Sequence, residues 1–167
     1  MLSAAVVTVS DRCAAGLRED RTGPALAVRI AAAGHRVAHA AVVPDDAGSL
    51  AALVGRLADG AVCGPVDVVL AAGGTGIGPR DRTPEALAAA WERPVPGIGE
   101  RVRAASADRV PAASLSRACA GVRGRSLLVA LPGSVGGACD GWDAIAGILE
   151  HARDQLHGGD HRAAARP

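Results

Sequence analysis

Aromatic side chains are almost absent from this sequence. It contains no Phe and no Tyr, so Trp91 and Trp142 are the whole aromatic complement. Because apolar residues nevertheless make up 49% of the chain, the core must be packed by Val, Leu, Ile and Ala. A bound ring cannot stack on Phe or Tyr, and the interleaved aromatic residues of an RNA-binding sheet are missing.

The usual signatures of zinc, membrane and nucleic-acid binding are also missing. The four cysteines form no Cys-x-x-Cys pair and show no zinc-like spacing to a histidine, so we expect free thiols in a reducing compartment. The net charge of +1 comes without a long basic stripe, and no segment reaches the length of a membrane span. Residues 1–9 lack the basic region and cleavage site of a signal peptide. We therefore expect a cytoplasmic protein with no nucleic-acid or membrane partner.

The first half of the chain alternates between strand and helix patterns. Short apolar runs predict strands over 4–9, 36–43 and 66–72, and apolar periodicity predicts helices over 22–33 and 49–59 between them. This order favours right-handed crossovers and a mostly parallel sheet covered by helices on both faces. The carboxyl ends of the three strands, with the loops that follow them, should then meet at one edge of the sheet.

The second half continues the pattern less regularly. The predicted elements are a helix over 84–91, a rigid connector over 93–97, a helix over 99–107, a strand over 126–131 and a helix over 141–156. Thr83 is predicted as the N-cap of the first of these helices. The chain shows no internal repeat, and 167 residues can bury one core without metals or disulfides. We assign residues 1–156 to a single domain and residues 157–167 to a polar, disordered tail.

The stretch GGTGIGPRD, Gly73 to Asp81, directly follows the third predicted strand. Its glycines let the backbone approach an anion and point N–H groups at it, and Asp81 supplies a carboxylate for a divalent cation. The lysine of a P-loop is absent, and the spacing of a dinucleotide fingerprint is not met. The stretch could serve only as a tight turn, but its place after a buried strand favours a phosphate-binding loop.

Two acidic residues, Asp45 and Asp46, follow the second predicted strand. Paired acids after Pro44 form a solvated turn by default. In the predicted sheet, however, one of them faces Asp81 across the phosphate loop, and two carboxylates at one edge can hold Mg²⁺. We prefer Asp45 because it lies closest to the end of the strand.

Further polar residues are open to two interpretations. Arg117 carries a fork of donors suited to clamping a phosphate or a planar polar ring. Ser116 and Ser134 could equally be a helix cap and a turn residue. The local pattern around Glu100 is that of an acid in the first turn of a helix.

Seven short motifs follow one another along the chain. They are TVSDR at 8–12, DRTGP at 20–24, VPDD at 43–46, GGTGIGPRDRTPEA at 73–86, PGIGE at 96–100, LSRACAGVRG at 115–124 and LPGS at 131–134. In this order they resemble the MoaB/Mog family of molybdenum cofactor biosynthesis proteins, and the likeness extends from Ser3 to Leu156. The resemblance implies an α/β fold, a three-layer α/β/α sandwich with a mostly parallel, mixed central sheet, assembled as trimers or hexamers.

The resemblance also implies an activity. The active members of the family are molybdopterin adenylyltransferases, in which the terminal phosphate of molybdopterin attacks the α-phosphorus of Mg-ATP and pyrophosphate leaves. No protein nucleophile is needed, which suits a site built from glycines and acids. The alternative is a molybdopterin-binding or assembly protein of the same pathway without adenylylation activity. A downstream molybdate-insertion protein is a further candidate partner.

The family's site residues map onto this sequence by motif. Asp45 and Asp81 match two essential acids that act through magnesium and the triphosphate. The other matched positions surround the pterin and its phosphate: Gly73, Gly74, Thr75, Gly76, Glu100, Ser116, Arg117, Gly133 and Ser134. One departure is Val135-Gly136-Gly137, where many relatives continue the Pro-Gly-Ser turn with proline. We expect a more flexible turn there.

Overall fold

The computed structural model describes residues 1–159. The strands are β1 (Ser3–Val9), β2 (Arg36–Val43), β3 (Val68–Ala72), β4 (Arg93–Pro94), β5 (Ala120–Arg123) and β6 (Ser126–Leu131). The helices are α1 (Asp11–Ala14), α2 (Thr22–Ala32), α3 (Ala47–Ala58), α4 (Thr83–Ala90), α5 (Pro96–Ala107) and α6 (Val135–Leu156), with a 3₁₀ helix at Pro111–Leu115.

The strands form one six-stranded sheet in the order β2-β1-β3-β6-β5-β4. The pairs β1–β2, β1–β3 and β3–β6 are parallel, whereas β5 runs antiparallel to β6 and to β4. The mostly parallel, mixed sheet predicted from the sequence is therefore confirmed. Strands β1, β2, β3 and β6 all end at the same edge, and the loops that leave this edge build the site described below.

The burial of each strand explains its place in the sheet. Every residue of β3 and β6 is buried, as expected for parallel strands that helices cover on both faces. Strand β2 is only partly buried along its length, which fits its position at one edge of the sheet. In this chain, the central strands β3 and β6 are buried along their whole length, and the edge strand β2 is not.

Two separate cores lie on the two faces of the sheet. On one face, Leu26 of α2, Val102 of α5 and Trp142 of α6 pack in a single apolar cluster. On the other, Leu50 of α3 and Leu87 of α4 belong to a second cluster. The expected three-layer α/β/α sandwich is confirmed.

Two helices begin at least three residues earlier than the sequence pattern predicts. Helix α6 begins at Val135 rather than at residue 141, because the Ser134 hydroxyl accepts a hydrogen bond from the Gly137 N–H at 3.2 Å and caps the first turn. The Val135-Gly136-Gly137 segment is helical, so the expected flexible turn is wrong. Helix α5 begins at Pro96, and a Cβ at Gly99 would stand 2.3 Å from the carbonyl oxygen of Ala118. The glycine there permits close packing of α5.

The predicted connector over 93–97 contains a short strand instead. Arg93 and Pro94 pair with Val122 and Gly121 of β5, a strand that the sequence pattern missed. A two-residue strand carries no periodicity to detect, and β5 is only four residues long.

The last helix ends close to its predicted boundary. Helix α6 ends at Leu156, and residues 160–167 of the predicted tail lie outside the described residues. Within 1–159, no helix combines the length and apolar character that crossing a bilayer requires.

Candidate functional site

Three loops meet at the carboxyl edge of the sheet, as the strand order predicted. The Asp11 N–H donates to the Asp45 carboxylate at 2.8 Å, and the Asp45 N–H donates to the Asp11 carboxylate at 3.0 Å. Arg80, from the loop after β3, forms an ion pair with Asp11 at 2.5 Å. These contacts join the loops that follow β1, β2 and β3.

The loop after β3 turns at two glycines that no other residue could replace. Gly73 and Gly74 have φ angles of +124° and +59°. A Cβ on Gly73 would stand 2.1 Å from the Val9 carbonyl oxygen, and one on Gly74 would stand 2.5 Å from Thr83 Oγ1. Both conformation and space therefore require glycine, and the loop backbone is fixed against β1 and α4.

The two predicted acids lie on the same glycine loop, Gly73–Gly76. Asp45 Oδ1 is 3.2 Å from the point where a Gly74 Cβ would stand, and Asp81 Oδ2 is 2.7 Å from the corresponding point on Gly76. Asp81 also accepts a hydrogen bond from the Gly78 N–H at 2.8 Å. Each carboxylate thus contacts its own part of one short loop, although the two residues are far apart in sequence.

Arg117 holds the glycine loop from the other side. Its N–H donates to the Thr75 carbonyl at 2.7 Å, and its Nε donates to the Gly76 carbonyl at 2.8 Å. Its two terminal nitrogens donate to the Asp81 carbonyl and to the Glu85 carboxylate. All guanidinium nitrogens have acceptors within the protein, so Arg117 positions the loop in this structure. A direct contact with an anion stays a prediction.

The Glu85 carboxylate is the charged partner of Arg117. The hydrogen bonds between Arg117 and Glu85 lower the pKa of the Glu85 carboxyl and raise the pKa of the Arg117 guanidinium, although burial opposes both shifts. Glu85 is therefore ionised at neutral pH. The pair ties the first turn of α4 to the segment before β5, with the glycine loop between them.

A cavity of about 670 Å³ opens beside the glycine loop. Its walls are mainly aliphatic, with Val102 from α5, Val110 and Leu115 around the 3₁₀ helix, and Ile77 from the loop itself. Four of the sequence-predicted binding residues line it: Thr75, Gly76, Ser116 and Ser134. The cavity is large enough for a small-molecule ligand, and polar side chains such as Ser116 and Ser134 stand among its aliphatic walls.

The remaining predicted residues take other positions. The Gly133 carbonyl accepts from the Thr22 hydroxyl at 3.0 Å, and a Cβ on Gly133 would stand 3.0 Å from the Gly73 Cα. The turn before α6 is therefore packed against the glycine loop. Glu100 is exposed on α5 and does not line the cavity, so this structure does not bring it to the other site residues.

Thr83 lies at the site but is not the N-cap that its sequence context predicts. It is the first residue of α4, and Arg82 is the N-cap. Among residues 1–159, Thr83 Oγ1 is the one buried side-chain polar atom without a hydrogen-bond partner. Thr83 and Asp45 line the same narrow crevice. Its sequence context resembles an ordinary helix start, which hid this feature.

The donor set around the glycine loop fits a hydrated magnesium ion. Within the described residues, no group of three or more His, Cys, Asp or Glu side chains is arranged to hold a metal. Magnesium does not require such a group, because it commonly binds one or two carboxylates together with substrate phosphates and water. Asp45 lies against Gly74 together with Thr83, and Asp81 lies against Gly76, so the glycine loop carries two carboxylates of the type that this pattern uses.

Cys119, two residues after Arg117, carries a partly buried thiol. Burial raises the pKa of the Cys119 thiol to about 11, with a smaller contribution from the Glu85 charge, while Arg117 and Arg103 oppose the shift. The thiol therefore stays protonated at neutral pH.

The comparisons with known proteins identify the family. A family model described as a probable molybdopterin binding domain matches residues 5–151. The chain belongs to the MoaB/Mog molybdopterin-binding family. The MoaB/Mog resemblance of the seven motifs is thereby confirmed.

Individual MoaB/Mog relatives extend the match. A molybdenum cofactor biosynthesis bifunctional protein of Synechococcus elongatus is 39% identical over 95% of this chain, which spans only 48% of that protein. A molybdopterin adenylyltransferase of Pyrococcus furiosus is 38% identical over 89% of this chain and 90% of its own length. The crystal structure of the molybdopterin biosynthesis enzyme MoaB of Thermus thermophilus superposes with a TM-score of 0.86 at 39% identity, covering 95% of this chain and 98% of that one.

Proposed function

We propose that this protein is a molybdopterin adenylyltransferase, which transfers AMP from Mg-ATP to the terminal phosphate of molybdopterin and releases pyrophosphate. The observation that carries the proposal is the position of Asp45 and Asp81 against one glycine loop, whose other face borders a cavity of about 670 Å³. A site for polyanions thus adjoins a cavity that can take a pterin ring. The family membership and the name of the Pyrococcus relative support the same activity.

The reaction makes and breaks one bond at phosphorus. A terminal phosphate oxygen of molybdopterin attacks the α-phosphorus of ATP, and the bond from that phosphorus to the bridging oxygen of the β-phosphate breaks. The pyrophosphate takes the electron pair of that bond. The protein has to bring two polyanions together and offset their charge, which needs alignment rather than a protein nucleophile.

Each part of the loop has a task in this scheme. The backbone N–H groups of Gly74, Thr75 and Gly76 are the donors that this loop offers to phosphate oxygens, because the Gly73 N–H already donates to the Leu131 carbonyl at 3.1 Å. Asp45 and Asp81 would hold magnesium, which supplies positive charge against the triphosphate. Arg117, paired with Glu85, keeps the Thr75 and Gly76 carbonyls in place and so fixes the direction of the N–H groups.

The hydroxyl of Thr83 has a role in the loaded state. A buried hydroxyl without a partner costs about 1–3 kcal/mol of stability, so it calls for an explanation. Thr83 Oγ1 and Asp45 Oδ1 lie 2.5 Å and 3.2 Å from the same point above Gly74. We infer that Thr83 donates to the Asp45 carboxylate when the nucleotide and its cation are bound, and that this contact orients Asp45.

The assembly and the partners belong to the same proposal. Exposed aliphatic side chains include Leu17, Val28 and Ile77, each at least 70% exposed. We expect this chain to self-associate as a homotrimer or hexamer and to pass its product to a molybdate-insertion protein. Multi-angle light scattering checks the assembly, and a stable monomer at working concentration would contradict it.

The test of the function is a direct assay. The purified protein is incubated with molybdopterin, ATP and magnesium, and adenylylated molybdopterin and pyrophosphate are measured. Formation of both products in equal amounts supports the transferase. Tight molybdopterin binding without either product would instead favour a binding or assembly protein of the same pathway.

A further inference from the structure

A charged group stands in the aliphatic wall of the cavity. Asp140, in the second turn of α6, lines the cavity together with Ser106 and Arg109 of the α5 region. Its Oδ2 accepts from the Ser106 hydroxyl at 2.9 Å and from Arg109 Nη2 at 2.7 Å. No donor among residues 1–159 reaches its other oxygen, Oδ1. A fixed carboxylate with one oxygen to spare therefore borders the ligand space.

The charge on this carboxylate limits what it can bind. The hydrogen bonds from Arg109 and Ser106 lower the pKa of Asp140, although burial opposes them. Asp140 is thus ionised at neutral pH and can only accept hydrogen bonds. A ligand that fills the cavity and leaves the carboxylate without a donor loses hydration there, which costs affinity. The cavity therefore favours a ring whose edge carries an N–H group at this position.

We propose that Asp140 selects the pterin by accepting a hydrogen bond from the exocyclic amino group of its pyrimidinone ring. This inference rests on the function proposed above. Six residues of helix separate Asp140 from Ser134, which corresponds to about 9 Å along α6. The phosphate end of the substrate then lies by the glycine loop and Ser134, and the amino edge of the ring system lies by Asp140. Ser106 and Arg109 are positioning residues that aim the carboxylate.

A purely structural ion pair is the competing explanation, and α6 contains a matched example. Asp143 pairs with Arg29 of α2 at 2.5 Å, with both side chains about half exposed. It lies three residues beyond Asp140 and does not line the cavity. Replacing either aspartate removes one ion pair of α6, but only Asp140 borders the ligand space. The variants Asp140→Asn and Asp143→Asn therefore separate recognition from helix packing.

The experiment compares two closely related ligands. A pterin and a lumazine carrying the same phosphorylated side chain differ at one edge of the ring, where lumazine has a carbonyl in place of the amino group and a hydrogen on the adjacent ring nitrogen N1. Their affinities for the wild-type protein and both variants are measured by titration of ligand fluorescence. We expect the wild type to bind the pterin at least about tenfold more tightly, because an N–H bonded to a carboxylate is replaced by an oxygen that repels it. Asp140→Asn should abolish this preference and Asp143→Asn should keep it.

A second readout comes from turnover, and each outcome decides between the proposals. Asp140→Asn should raise KM for molybdopterin and leave KM for ATP unchanged. If the wild type makes product but binds the two rings equally, the assignment of Asp140 is wrong while the proposed function stands. If Asp140→Asn and the wild type prefer the pterin over the lumazine to the same degree, the assignment of Asp140 is likewise wrong, but the proposed function stands. If the wild type binds neither ring nor molybdopterin, the proposed function fails as well. If Asp140→Asn does not fold, the ratio of the pterin and lumazine affinities of the wild-type protein decides whether the assignment of Asp140 stands.

Discussion

The two sides of the glycine loop differ in how much freedom they leave to the chain. On the side of Asp45 and Thr83, backbone and side chains are in contact, and a Cβ on Gly73 would stand 2.1 Å from a carbonyl oxygen. On the other side lies a cavity of about 670 Å³ with aliphatic walls. The side of Asp45 and Thr83 can hold reacting groups rigidly. The cavity side can accept a ring with few specific contacts.

This contrast has a chemical reason. Charge stabilisation at phosphorus depends on donors that are fixed before the substrate arrives, because reorganisation would consume the benefit. Binding of an apolar ring depends chiefly on the area removed from water, which tolerates small shifts. Substitutions on the crowded side should therefore abolish function or folding, whereas those on the cavity side should change affinities by degrees.

The largest effect is expected from Asp81→Asn. The amide oxygen can still accept from the Gly78 N–H, so the loop should keep its shape, but the negative charge for magnesium is lost. We expect transfer to fall by about 100-fold or more, with an unchanged melting temperature. The assay for adenylylated molybdopterin measures the loss, and calorimetric melting controls for folding. Turnover at the wild-type level would rule out the proposed role of Asp81.

Gly73→Ala tests whether the crowded side tolerates any substituent. The positive φ and the collision with the Val9 carbonyl should together destabilise the protein by about 3 kcal/mol or more. Gly136→Ala is the matched control, because Gly136 lies in the first turn of α6 with open space around it. That change should be neutral or stabilise by about 0.5–1 kcal/mol. Urea unfolding compares the two, and similar midpoints would show that the loop is not rigid.

Thr83→Val separates function from stability at a single atom. The variant removes the unsatisfied hydroxyl and keeps the shape of the side chain, so stability should stay level or rise by about 1 kcal/mol. Transfer and the affinity for Mn-ATP, measured by calorimetry, should each fall about tenfold, the equivalent of one hydrogen bond to a charged group. Thr83→Ser retains the hydroxyl and should keep that affinity. A Val variant with wild-type affinity would refute the contact with Asp45.

The smallest effect concerns the Arg117–Glu85 pair and pH. The pKa of Glu85 is lowered in the folded protein, so its stabilisation is complete above the unfolded value near 4.5 and is lost as the pH falls through the lower folded value. Because both side chains are more than a third exposed, the contribution is below about 1 kcal/mol. Thermal melts of wild type and Glu85→Gln should differ at pH 7 and converge as the pH falls below the folded pKa of Glu85. A difference that persists in acid would need another cause.

Much of this site followed from the sequence because its parts are local. Strand order alone placed the loops after β1, β2 and β3 at one edge, and Asp45 was preferred because it lies close to the end of β2. The orphan hydroxyl of Thr83 could not be predicted, since its neighbours Asp45 and Gly74 come from two other loops. The exposed position of Glu100 likewise depends on how α5 packs. Contacts between distant segments, rather than residue types, were the missing information.

The same distinction explains the misplaced start of α6. Two glycines in Val135-Gly136-Gly137 lower helix propensity, and propensity was the signal available. The Ser134 cap and the packing of this turn against Gly73 outweigh that signal. Local preference failed here because a tertiary contact fixed the backbone.

The scarcity of aromatic residues has a practical consequence. Trp142 is fully buried in the core beneath α2, α5 and α6, where its ring meets His35 edge-on at 6.1 Å. Trp91 packs with the opposite core, against Gly121 of β5. Because the chain has no other tryptophan and no tyrosine, its intrinsic fluorescence comes from these two residues, and each helical layer contains one fluorescent reporter. Variants that retain a single tryptophan would reveal whether the two layers detach from the sheet together or one after the other.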